Sequence, residues 1–91
     1  MVFKTIRDCR RSVEEQRYIW SMLGIWDRLS GERRETARGL IGEISASPLE
    51  SRALFDVLIR GFTPQSVSTR TRVPIRRLYD MRREFYERYR I

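Results

Sequence analysis

The stretch Gly61–Phe85, GFTPQSVSTRTRVPIRRLYDMRREF, is dense in arginine, the residue in it with the most specific recognition chemistry. A guanidinium is planar and always charged, and its forked donors meet two acceptors at once. That geometry suits the oxygens of a phosphate and the paired acceptors on the edge of a guanine. The 91-residue chain carries 19 basic and 12 acidic side chains, a net charge of +7, and 18 of the basic residues are arginine. An arginine-rich codon bias would give the same total, but not the same placement. Residues 60–91 hold 9 basic and 3 acidic side chains, net +6, whereas residues 1–59 hold 10 and 9, net +1. The positive field is concentrated on the C-terminal third.

Other chemistries find little material. There is no histidine and one cysteine, Cys9, which excludes a disulfide framework and argues against an all-protein zinc site. No glycine-rich phosphate loop is present, and Cys9 lies in an apolar stripe. Glu14 and Glu15 are adjacent, so on a helix they diverge and serve solubility rather than paired acid–base work. The expectation is a non-enzyme with no cofactor and no metal. No run approaches the roughly 18 consecutive apolar residues of a membrane span, no export signal is evident, and the lone cysteine suits a reducing cytoplasm.

These residues must be positioned by helices. Hydrophobic residues make up 41% of the chain and charged residues 34%, as in a small soluble domain, alone or with an arm. Ile6, Cys9, Val13, Gln16, Trp20 and Leu23 fall at steps of three and four and predict a long first helix over about 3–29. Tyr18, Ile19, Met22, Ile25 and Trp26 widen its apolar face. Ile6, Val13, Trp20, Leu23 and Trp26 are therefore candidates for core or for a homodimer seam. Ser30-Gly31 break the pattern, and Ala37, Leu40, Ile41 and Ile44 predict a second helix over about 32–45. Ser47, Pro48 and Glu50 form a start signal with a capping box, followed by a third helix that ends at Gly61. Thr63-Pro64 opens a short helix to about Arg70. Val73-Pro74 opens the last helix, with Ile75, Leu78, Met81, Phe85 and Tyr89 on one face. The fold class read from the sequence is all-α, about five helices, with residues 1–46 for packing or dimerisation and 47–91 for binding.

A short helix, a tight turn and a second helix make a helix-turn-helix, a motif that sets its second helix in the DNA major groove. Its packing demands are met in order by Val67, Ser68, Val73, Leu78 and Met81. The segment RGFTPQSVSTRTRVPIRRLYDMRREF resembles the C-terminal helix-turn-helix of sigma-70 region 4. The layout of long first helix, second helix and C-terminal motif resembles the sigma-like phage regulators of the RinA and ArpU type. Val67-Ser68 fall on the family's small apolar pair, Val73-Pro74 on its helix start, and Arg76-Arg77-Leu78-Tyr79 on its reading helix. Thr71-Arg72 stand where the family has Leu-Gly, and Pro74 where it has a capping serine.

The resemblance implies a transcription regulator that reads double-stranded DNA, in a phage or prophage and hence in the cytoplasm of a bacterial host, with late or packaging operons as its class of target. It implies that Arg76, Arg77, Tyr79, Asp80 and Arg83 face the groove, while Gln65, Ser66, Thr69, Arg70 and Arg72 hold phosphates. The same surface could instead be a solvated face, with Arg82, Arg83, Glu84, Glu87 and Arg88 paired along the helix. Two rival readings share these residues: a phage DNA-packaging component like a small terminase subunit, and an adaptor whose basic helix docks on an acidic partner such as RNA polymerase.

Overall fold

The computed structural model describes residues 3–91. Five α-helices follow one another: α1 Val13–Gly24, α2 Gly31–Ile44, α3 Pro48–Leu58, α4 Pro64–Thr71 and α5 Ile75–Arg88, with a 3-10 turn at Trp26–Arg28 between α1 and α2. No strand occurs among the described residues, so the fold is all-α.

The helix starts follow from capping chemistry. Ser30, Ser47 and Thr63 each accept a hydrogen bond from the amide three residues on, satisfying one of the donors a helix amino end leaves free. Pro48 and Pro64 sit in the first turn, where a missing N–H costs nothing. At Ser47 the reciprocal half of the capping box does not form. Glu50 Oε1 accepts from the Ala46 amide at 2.9 Å instead, one residue further out, because its carboxylate is also drawn towards Arg77. The complete box is at Ser12, whose hydroxyl accepts from Glu15 N while Glu15 Oε1 accepts from Ser12 N. The Ser12 amide, followed by the neighbouring Arg11 guanidinium, holds the Glu15 carboxyl below its ordinary pKa.

That box starts the first helix at Val13, ten residues later than the apolar spacing predicts, and α1 ends at Gly24 rather than near Leu29. Residues 3–12 form an irregular arm. Ile6 lies in it and is buried, so the apparent stripe from Ile6 through Cys9 to Val13 is not one helical face. Gln16 is the physical reason the arm stays down. It is 1% exposed, its Oε1 accepts from the Ile6 amide at 2.8 Å, and its Nε2 donates to the Arg11 carbonyl at 3.0 Å. A buried amide needs such partners, and here they come from the arm's backbone.

One core serves the described residues. Ile19, Leu23, Leu54, Val67, Leu78, Met81 and Phe85 are essentially inaccessible. Helices α2, α3, α4 and α5 pack on one another, so the regions 1–46 and 47–91 share their apolar interior. The radius of gyration of 12.2 Å matches the value of about 12 Å for a compact chain of this length. Within that core α5 is amphipathic, with Leu78, Met81, Phe85 and Tyr86 inward and a charged outer face.

Candidate nucleic-acid interface

Helices α4 and α5 are joined by Arg72, Val73 and Pro74, and the local chemistry closes this turn without glycine. Arg72 takes the left-handed conformation, φ 65° and ψ 11°, at the C-cap of α4. The Thr71 hydroxyl donates to Val67 O at 2.7 Å and accepts from Val73 N at 3.3 Å, while the Ser68 hydroxyl donates to Val73 O at 2.6 Å. Val73 is buried beneath the turn. Thr71-Arg72 thus make a tight turn, with two hydroxyls satisfying its polar groups and a strained Arg72 accepting the bend. A non-glycine residue in this region pays about 1 kcal/mol or more.

The five residues assigned to a groove-facing role separate into three kinds. Arg76 is exposed and has no ion pair or side-chain hydrogen bond among the described residues, and Tyr79 is 40% exposed. Asp80 and Arg83 also lie on the outer side and pair with each other at 3.2 Å. Arg77 is placed otherwise. Its Nε and Nη2 donate to Glu50 at 3.2 and 3.0 Å, and Nη2 donates also to the Ile44 carbonyl at 3.1 Å. That guanidinium braces the end of α2 and the start of α3 against the first turn of α5, and it is not a free reading fork. The bond to Arg77, then that to the Ala46 amide, holds Glu50 below its ordinary carboxyl pKa, and the same pairing raises Arg77.

The phosphate set divides likewise. Gln65 and Ser66 are exposed in the first turn of α4, and Arg72 is exposed in the turn with no ion pair among the described residues. Thr69 is exposed, its hydroxyl donating to Gln65 O at 3.0 Å. Arg70 is committed elsewhere: it pairs with the buried Asp56 at 3.0 Å and lies over Phe62, 4.9 Å from the ring centroid. Arg60 joins from the other side, 5.3 Å from the same ring and 4.0 Å from Asp56. Arg70 therefore ties α3 to α4 through its Nη2, while its side chain stays half exposed.

The dimer or core set also changes. Leu23 and Trp26 are core, with Trp26 edge-on to Phe55 at 5.6 Å. Trp20 is half-buried and meets Phe3 of the arm edge-on at 5.7 Å. Val13 is 45% exposed and belongs to no core. The arm covers part of the face that spacing offered as a seam.

The end of α5 is fixed by the arm as well. Arg11 Nε donates to Tyr86 O at 3.0 Å, its Nη2 donates to Tyr89 O, and Arg10 N donates to Glu87 at 3.0 Å. A cation at the carboxyl end of a helix meets the negative end of its dipole. Sequence reasoning missed Gln16, Arg11 and the Ser68–Thr71 pair. Only Gln16 carried a signal, as a lone polar residue in an apolar stripe.

Among the described residues no group of three or more His, Cys, Asp or Glu is placed to hold a metal ion, and no helix is long and apolar enough to cross a membrane. No protein-family model, curated protein or solved structure matches the chain.

Proposed function

We propose that the protein binds double-stranded DNA sequence-selectively, presenting α5 to the major groove and the amino end of α4 with the Arg72 turn to the backbone, and that it regulates transcription in a phage or prophage setting. The carrying observation is electrostatic. The amino end of α5 has no side-chain cap and no acidic residue in its first turn, yet Arg72 and Arg76 stand there exposed and without ion pairs among the described residues. Cations at the positive end of a helix dipole cost stability unless an anion is to be met. The DNA backbone supplies such an anion, and a guanine edge suits the fork of Arg76.

In this reading Arg76, Tyr79 and Arg83 touch bases, Asp80 orients Arg83, and Arg77 and Arg70 hold the reading helix rather than read. Gln65, Ser66 and Arg72 position the protein on phosphates. The regulatory role is carried by the resemblance to sigma-70 region 4 and is a proposal on that ground. Selection from a random-sequence duplex pool tests it. Recovery of a preferred motif by the native protein, degraded at one position by Arg76→Ala, supports the reading. Failure to enrich any sequence would favour an adaptor that meets an acidic protein surface.

A further inference from the structure

The arm and α5 flank a trough that runs on to the start of α4; its Tyr79, Arg83 and Gln65 have roles above, whereas its Arg7 and Arg82 have none. Thr5–Asp8 form one wall and Tyr79, Arg82 and Arg83 the other, around a cleft of about 480 Å³. A neighbouring hollow of about 410 Å³ shares Thr5, Ile6, Tyr79 and Arg82 and extends past Lys4 to Thr63–Gln65 at the start of α4. The cleft is cationic: Arg7, Arg82 and Arg83 face one carboxylate, Asp8, while Asp80 answers Arg83. Arg82 is the unusual member. Its guanidinium lies over the Tyr79 ring at 5.3 Å, it has no ion pair among the described residues, and its Nε is buried with no hydrogen-bond partner there. Buried donors are almost always satisfied, and a guanidinium with no partner inside the fold, at the edge of a basic cleft, suits an anion.

Resting on the DNA-binding reading, we propose that this trough takes a backbone phosphate of the bound duplex, with Arg7 and Arg82 as its donors, so that the arm is a second DNA-contacting element beside α5. Position selects this occupant. Tyr79 and Arg83, which line the cleft, also lie on the outer side of α5, and the adjoining hollow reaches Gln65, so a strand engaging α5 and the start of α4 passes over the trough. The arm is pre-organised for it by the Gln16–Ile6 bond and by Arg11 and Arg10 on the last turn of α5.

The test follows the Arg82 Nε–H and the amides of residues 5–8 by NMR in the full chain, with duplex DNA and separately with inorganic phosphate. It also compares the salt dependence of duplex binding for the native protein, Arg7→Ala, Arg82→Gln, Arg76→Ala and Arg28→Ala. Arg7 is exposed, so its variant keeps the test valid if Arg82→Gln disturbs packing. The expected result is that duplex shifts the Arg82 Nε–H, that Arg7→Ala and Arg82→Gln each weaken binding about tenfold at low salt, and that each flattens the log–log salt slope by about 0.9. Arg28→Ala, outside the trough, keeps the native slope. If Arg76→Ala weakens binding while Arg7→Ala and Arg82→Gln do not, the trough proposal is overturned and the DNA reading stands. If inorganic phosphate moves these signals and duplex does not, the site takes a free anion and its assignment to DNA is overturned. If the native protein binds no duplex even at low salt, both readings fall.

Discussion

Arg77 reaches from the first turn of α5 to both carboxylate oxygens of Glu50 in the first turn of α3, at 3.2 and 3.0 Å, with the Ile44 carbonyl of α2 as its third acceptor. Its sequence neighbour Arg76 has no such partner and points outward. Two adjacent arginines thus divide the work of fixing the last helix and presenting a cation on it.

Removing the brace should therefore damage stability first. Arg77→Ala is expected to cost about 1–3 kcal/mol in denaturant unfolding, because it strands a mostly covered carboxylate and a helix-end carbonyl. Glu50 adds a pH signature. Its folded pKa is lowered from an ordinary 4.5, so its contribution is complete above that value and is lost as pH falls through the lowered one. Glu50→Gln should lose stability at neutral pH and show a shallower decline on acidification than the native protein.

The strain at Arg72 predicts the opposite sign. Arg72→Gly relieves a left-handed arginine at φ 65° and should raise stability by up to about 1 kcal/mol. The same change removes a proposed phosphate contact and should flatten the salt slope of duplex binding by about 0.9. A variant that is more stable yet binds more weakly would separate fold from function at one residue. Loss of stability in Arg72→Gly would contradict the account of the turn.

Gln16 anchors the arm, so Gln16→Leu should release it. The Ile6 amide, which donates to Gln16 Oε1 at 2.8 Å, is expected to lose hydrogen-exchange protection, with a stability loss of about 1–3 kcal/mol. Retained protection at Ile6 would mean that the arm is held mainly by apolar packing.

Tyr86 reports on the same region. Burial pushes its phenol up to about 12, against a usual 10. The neutral phenol is the form the fold favours, so its contribution is full below the unfolded value of about 10 and is lost as pH rises through about 12. Ultraviolet titration should show Tyr86 ionising late, together with Tyr89, which burial also pushes up. In Gln16→Leu the Tyr86 step is expected to move down as the arm lifts away.

The helix starts after Ser47, Thr63 and Pro74 were readable because capping residues and prolines act locally. The first helix was misread because Ile6 and Cys9 satisfy helical spacing by accident of the arm's own packing. The Ser12/Glu15 box was the sequence signal that overrules that spacing. The charged outer face and buried inner face of α5 were visible in its period, yet nothing local distinguishes Arg76 from Arg77, or Arg70 from Arg72. Those differences arise only when the fold brings Glu50 and Asp56 alongside. The trough was illegible for the same reason, since its walls come from opposite ends of the chain.

The most direct test of the central claim is fluorescence anisotropy of labelled genomic duplex fragments across a salt series, comparing the native protein with Arg76→Ala. Tight, fragment-selective binding that falls steeply with salt and loses part of its selectivity in Arg76→Ala, with the fold intact, is the expected result. No binding at low salt, or binding equal for all fragments and unchanged by Arg76→Ala, would contradict the assignment of α5 as a DNA-reading helix.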